Sequence, residues 1–266
     1  MLQRIILPTV TLLLLGLVIA DRLARHWPLR SDAAAAVVAV PDSAETAPGA
    51  RPSAAPTSSS AGQVIVPPAE RLVRLSVQRQ LAEEGRDTYL DSMLSSTDSV
   101  VRRWPDRSGR ALRFTFTHAG MPPEYAPRMA DAARDAFRAW QEVGAGLTFV
   151  ELPDTTGADI TVRWVDHFEY DRVGQTDLAW DQYGRVRHAF ITLAIRTSSG
   201  TLLPDTALEG VAIHEVGHAV GLPHSADSVD IMFPSTHFRA LSNRDRRSVQ
   251  LLYRLPPGPI RTTDRH

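Results

Sequence analysis

The chain has 266 residues, 43% of them hydrophobic, with 29 Lys and Arg against 30 Asp and Glu and no cysteine. A net charge of −1 supplies no basic field to gather nucleic acid, and the lack of cysteine excludes disulfides, thiolate metal ligands and a cysteine nucleophile. Any bound metal must rest on His, Asp or Glu.

The first residues read MLQRIILPTVTLLLLGLVIADRLARHW, with Arg4 ahead of an apolar run from Ile5 to Ala20. That run exceeds the roughly 7–15 residues of a signal-peptide core and falls short of the roughly 20 of a comfortable membrane span. Two readings of residues 1–30 follow. Val18 and Ala20 are small residues ahead of a cut and favour a cleavable signal; the length favours an uncleaved single-pass anchor. Either one exports the rest of the chain, so an extracytoplasmic protein is expected, membrane-anchored or secreted. Residues 31–69 are rich in Ala, Pro and Ser; they cannot bury enough surface to offset their ordering entropy and are expected to form a flexible linker.

Residues 70–102 follow as a helical segment. Leu72, Leu75, Val77 and Leu81 recur at helical spacing within Glu70 to Arg86, and Tyr89, Leu90, Met93 and Leu94 suggest a second short turn of helix. Packing is the expected role, as a docking helix or a pro-segment. The main domain spans residues 103–256. Leu112, Phe114 and Phe116 alternate as in a half-buried strand. Between Pro122 and Gly144, Tyr125, Met129, Ala133, Phe137 and Trp140 mark a long amphipathic helix. Further strands are expected at Leu147 to Leu152, Ala158 to Val165 and Val186 to Ile195. This order implies a mixed sheet with helices packed on it. Ser242 caps a final helix that ends near Tyr253, and residues 257–266 form a Pro-rich tail.

Residues 212 to 225 read AIHEVGHAVGLPHS. Thr206 and Glu209 have capping-box spacing, so a helix is expected to start near Asp205 and run through His218. His214 and His218 then lie four apart on one face and can reach one tetrahedral ion, while Gly221 lets the chain turn so that His224 returns as a third ligand. Three protein ligands leave a fourth position open, as in catalytic rather than structural zinc sites. Glu215 is placed to act as general base, taking a proton from the attacking water and passing it to the leaving amine. These residues point to zinc-dependent peptide hydrolysis.

HEVGHAVGLPHS followed by DIMFP resembles the metzincin metallopeptidases, and within them the matrixins, the matrix metalloproteinase-like group. The likeness runs from RWPDRSGRALRFTFT through DAARDAFRAWQEVGAGLTFVEL and ADITVRW to LSNRDRRSVQLLY, residues 103 to 254. It implies an α+β, metzincin-like zincin fold: a mixed twisted sheet with an antiparallel edge strand, an active-site helix and a C-terminal helix. By this resemblance His214, His218 and His224 ligate one catalytic zinc, Glu215 is the general base and Met232 is a hydrophobic floor beneath the metal. The segment around His188 to Leu193 would be the edge strand that pairs with extended protein or peptide substrates, and Pro234 to Phe238 would line the pocket for the side chain after the scissile bond. His167, Asp171 and His188 resemble part of the family's second, structural zinc set, and Asp171, Asp177 and Asp181 are candidate calcium ligands. The family's cysteine-based latency is absent here. A monomer is expected. The alternative function is a non-catalytic peptide-binding or scaffold domain that keeps the fold; Glu215 argues against it, because binding alone needs no carboxylate there.

Overall fold

The structure is a computed structural model that describes residues 68–96, 99–107, 109–117, 123, 125–170 and 172–261. The N-terminal apolar run, residues 31–67 of the Ala/Pro/Ser-rich linker and Asp171 lie outside the described residues, while residues 68 and 69, expected in the linker, open a helix. No helix among the described residues is long and apolar enough to cross a membrane.

Helix α1 (Pro68–Glu84), a 3-10 turn (Gly85–Asp87) and α2 (Ser92–Ser95) precede the short strand β1 (Val100–Val101). Val77, Leu81, Tyr89 and Leu90 enter the core, whereas Leu72 and Leu75 stay exposed. The helical period is real, but among the described residues it is the apolar side chains of the C-terminal half of α1, Val77 and Leu81, that are buried. Gln78 there donates to the Ile260 carbonyl at 2.7 Å. The expected tail is also tied down at its start, because β7 (Gly258–Pro259) pairs antiparallel with β1.

The main sheet has five strands, β2 (Leu112–Phe116), β3 (Phe149–Glu151), β4 (Ile160–Val165), β5 (Gly174–Trp180) and β6 (Val186–Ala194), in the spatial order β3-β2-β4-β6-β5. All neighbours are parallel except β5 and β6. The β5 strand was not expected from the sequence. Its residues are intermediate or exposed throughout, so GQTDLAW lacks the apolar alternation that reveals a half-buried strand. Its presence corrects the edge assignment. The His188 to Leu193 segment lies in β6, paired on both sides, and β5 is the antiparallel edge. The chain reverses between them because Asp181 Oδ1 accepts from the backbone N–H groups of Tyr183 and Arg185 at 2.9 and 3.0 Å, a carboxylate-closed turn.

Helix α3 (Ala126–Gln141) buries Met129, Ala133, Phe137 and Trp140 along one stripe. Phe137 stacks on Phe114 of β2 with centroids 4.1 Å apart, and each such fully buried side chain is worth roughly 1.5–3 kcal/mol. Trp140 Nε1 donates to the Ile213 carbonyl at 2.8 Å, tying α3 to α4 (Asp205–Ala219). The expected start of α4 is met, but not by the expected cap. Pro204, with φ −66°, occupies the N-cap without a side-chain hydrogen bond, which leaves Thr206 inside the first turn. Helix α5 (Asn243–Arg254) has a complete capping box between Ser242 and Asp245.

Asp159 clamps the entry to β4. Its carboxylate accepts from Arg107 at 2.7 and 3.1 Å and from the Arg113 backbone N–H at 2.8 Å. Burial pushes its pKa up, but the hydrogen bonds from Arg107 and Arg113 outweigh that and hold it at about 2. A depressed carboxylate stabilises the fold above its unfolded pKa, and that contribution is lost as pH falls through the folded one. Between roughly pH 4 and pH 2 the protein is therefore expected to lose about 2 kcal/mol from this residue. Urea unfolding of Asp159→Asn across that range should show a flatter acid limb than the parent.

Candidate active site

Helix α4 packs against α3 and against β5 and β6 and buries residues around most of its circumference, including Leu208, Ala212, Ile213 and Val216. On it His214 and His218 sit one turn apart, with ring centroids 4.7 Å apart and planes at 86°. Beyond Val220 the helix stops. Gly221 takes φ +104° and packs so closely that a Cβ would overlap the Arg102 carbonyl oxygen; only glycine fits both demands. The reversal brings His224 back, its Nε2 3.1 Å from that of His218 and its ring centroid 5.3 Å from that of His214. One nitrogen from each of the three rings lies within 4.8 Å of the others.

The outer edges of two rings are anchored. His214 Nδ1 donates to the Ile231 carbonyl at 2.7 Å and His218 Nδ1 to the Leu222 carbonyl at 2.8 Å. A carbonyl only accepts, so the proton sits on Nδ1 and the Nε2 lone pair is left free. Burial lowers the pKa of His214. Burial, followed by repulsion from His214 and His224, lowers that of His218 well below the usual value. His224 has an exposed edge, yet desolvation inside the cluster and then the proximity of His214 bring it down to about 4. The rings are thus neutral at physiological pH. Three neutral, convergent imidazoles fit a zinc ion with an open fourth position.

Met232, which follows the Ile231 carbonyl that meets His214, is fully buried. Its sulfur fills the space that a Cβ on Gly217 would occupy, and that same Cβ would lie 2.8 Å from Trp140 Cζ2. The turn holding Met232 is pinned by Ser225 N–H to the Met232 carbonyl at 2.9 Å.

Glu215 points from α4 towards β5, and it is buried. Burial raises its pKa to about 7, against the opposing hydrogen bond from Thr176. The Thr176 hydroxyl donates to Glu215 Oε2 at 2.6 Å. Two residues earlier, Gly174 leaves room for the carboxylate: a Cβ there would lie 2.7 Å from Glu215 Cγ and overlap Oε1. Neither Thr176 nor Gly174 was singled out from sequence, because the strand carrying them is amphipathically silent.

The other metal candidates among the described residues are not gathered in this way. His167 hydrogen-bonds Asp166 at 2.8 Å on the surface, and His188 Nε2 lies 3.3 Å from the Thr161 hydroxyl. Asp181 closes the β5–β6 turn and pairs with Arg187 at 2.7 Å, while Asp177 accepts from Gln175 at 2.9 Å. Among the described residues, His214, His218 and His224 form the group whose ligand atoms converge. The loop Pro234 to Phe238 runs alongside α4, close enough that a Cβ on Gly210 would lie 2.6 Å from the Phe238 carbonyl oxygen.

Comparison with known proteins agrees with this architecture. The family model for matrixins matches residues 103–254. The hatching enzyme of Paracentrotus lividus is 34% identical over 151 residues, covering 50% of this chain and 24% of that protein. Stromelysin-3 of Rattus norvegicus is 31% identical over 169 residues, 58% of this chain and 32% of that protein. Metalloendoproteinase 2-MMP of Arabidopsis thaliana is 30% identical over 182 residues, 60% of this chain and 45% of that protein. The chain thus spans less than half the length of each of these relatives. A match across the sheet, the histidine-bearing helix and α5, more than half of the chain, means that this protein belongs to the matrixin family of zinc-dependent metallopeptidases.

Proposed function

We propose that the chain is a zinc endopeptidase that hydrolyses peptide bonds in extracytoplasmic proteins, with His214, His218 and His224 as the ligands of one zinc ion and Glu215 as the general base. The observation that carries this reading is the convergence of three neutral ring nitrogens beside a buried carboxylate on the same helix. The three rings would hold the zinc ion, which when bound would supply Lewis acidity towards a carbonyl and lower the pKa of water. Glu215 takes the proton of the attacking water and delivers it to the leaving amine. Thr176 keeps the carboxylate in one rotamer, and Gly174 keeps the strand near enough to exclude bulk water from its far side. Met232 supports the helix at Gly217.

Among the described residues β5 is the last strand of the sheet, and its outer edge, which runs past Glu215, suits main-chain pairing with an extended substrate strand. Main-chain pairing of this kind selects unfolded segments and loops. The loop Pro234 to Phe238 lines the subsite for the side chain after the scissile bond. The N-terminal apolar run exports the domain, which acts tethered to a membrane or released from it, as a monomer.

Zinc-loaded full chain is expected to cleave casein and a mixed peptide library, and chelation is expected to stop it. A chain that binds zinc yet cleaves nothing would be a peptide-binding scaffold instead. The Gly174→Ala variant tests the close approach of β5. Its methyl displaces the Glu215 carboxylate, and a misplacement of about 1 Å costs on the order of a hundredfold in rate. Steady-state kinetics are expected to show that loss in kcat, with zinc content at the parental level.

A further inference from the structure

The segment ahead of the matched domain reaches the metal site through a buried chain of hydrogen bonds. Tyr89, fourteen residues before the matched region begins, donates its hydroxyl to Asp245 Oδ1 at 3.2 Å. Asp245 Oδ2 accepts from the backbone N–H of Ile231 at 2.9 Å and from that of Ser242 at 2.8 Å. The other side of the Ile231 residue, its carbonyl, accepts from His214 Nδ1 at 2.7 Å. Every member is buried: Asp245 and Ile231 are at 0% exposure, Tyr89 at 4% and His214 at 7%.

We infer that Tyr89 and Asp245 are positioning residues for His214, so that the helical segment 68–96 is a working part of the metal site as well as a packed flank. The inference rests on the reading of His214 as a zinc ligand. A metal-bound imidazole is oriented by the acceptor on its other nitrogen. Here that acceptor is a backbone carbonyl, and a carbonyl is only as fixed as its residue. Asp245 holds Ile231 by its N–H, which anchors the residue whose carbonyl faces the ring. A buried carboxylate in turn needs several donors to remain charged and in place, and Tyr89 supplies one that the matched domain does not contain. The Tyr89 backbone is itself fixed from α5, where Ser248 Oγ accepts its N–H at 3.3 Å. The contact is therefore built from both ends.

The test uses the full chain with zinc, and with cobalt(II) as a spectroscopic replacement. Tyr89→Phe removes one hydroxyl and keeps the ring. It is expected to weaken zinc affinity about threefold in chelator competition and to alter the visible cobalt absorption, and Asp245→Asn is expected to weaken zinc affinity about tenfold or more. Leu90→Ala is the control for packing: it loosens the same segment, lowers Tm, and leaves zinc affinity and the cobalt spectrum of the folded protein unchanged. Parental affinity and spectrum in Tyr89→Phe, whatever Asp245→Asn shows, would overturn the inference alone, as would equal spectral changes in Leu90→Ala. A parent chain that fails to bind zinc would overturn it together with the proposed function.

Discussion

Replacing Glu215 by alanine is expected to reduce peptide hydrolysis by on the order of a thousandfold or more while zinc stays bound. The reason is a separation of duties along one helix. His214 and His218 are held by the carbonyls of Ile231 and Leu222, so truncating the residue between them removes no contact that orients a ring. What disappears is the carboxylate that faces Thr176. Burial has already raised its pKa to about 7 in the metal-free site, which means that the local environment makes it a stronger base than an exposed glutamate. Activity assays with zinc content measured on the same samples check the result. Comparable turnover by parent and variant would remove Glu215 from the mechanism; loss of zinc together with activity would make it a structural residue.

Replacing His218 by alanine is expected to abolish both zinc binding and activity. His218 lies 4.7 Å from His214 and 4.6 Å from His224 by ring centroids, so its removal leaves two rings, too few to hold the ion in a three-ligand site. The effect extends to stability. An ion present at about a thousand times its Kd contributes about 4 kcal/mol to the folded state, or roughly 10 °C in Tm for a domain of this size. Calorimetry of the parent with zinc and with chelator should show that shift, and the His218→Ala variant should show none. In the metal-free parent the triad also sets an acid limit. Rings whose folded pKa is depressed take up protons more readily when unfolded, so stability is lost as pH falls below about 6.5, the ordinary histidine value, towards the folded values.

The pattern of what was legible follows the range of the interactions. The helix from Asp205, the i,i+4 histidine pair, the glycine turn and the return of His224 are written within a few residues, and local geometry alone places them. Ser242 announced the cap of α5 for the same reason. The cap of α4 was misassigned, because Thr206 and Glu209 have the spacing of a capping box and yet Pro204 begins the helix one residue before Asp205. The helical period of α1 was visible, but the sequence could not say that Leu72 and Leu75 would stay exposed among the described residues.

By itself, then, the sequence disclosed the family and, through that resemblance, the fold class, and it singled out His214, His218, His224 and Glu215 as the proposed ligands and base, since their spacing lies along one helix and its turn. Only the tertiary structure decided which strand forms the edge of the sheet, what holds Glu215 and what stands behind His214. Thr176 is 39 residues from Glu215, and Tyr89 is 156 from Asp245. Hydrophobic patterning reports which side of an element is buried and carries no information about the neighbour that buries it. An edge strand of mixed polarity and a tyrosine in a flanking segment therefore gain their meaning only when the chain closes on itself.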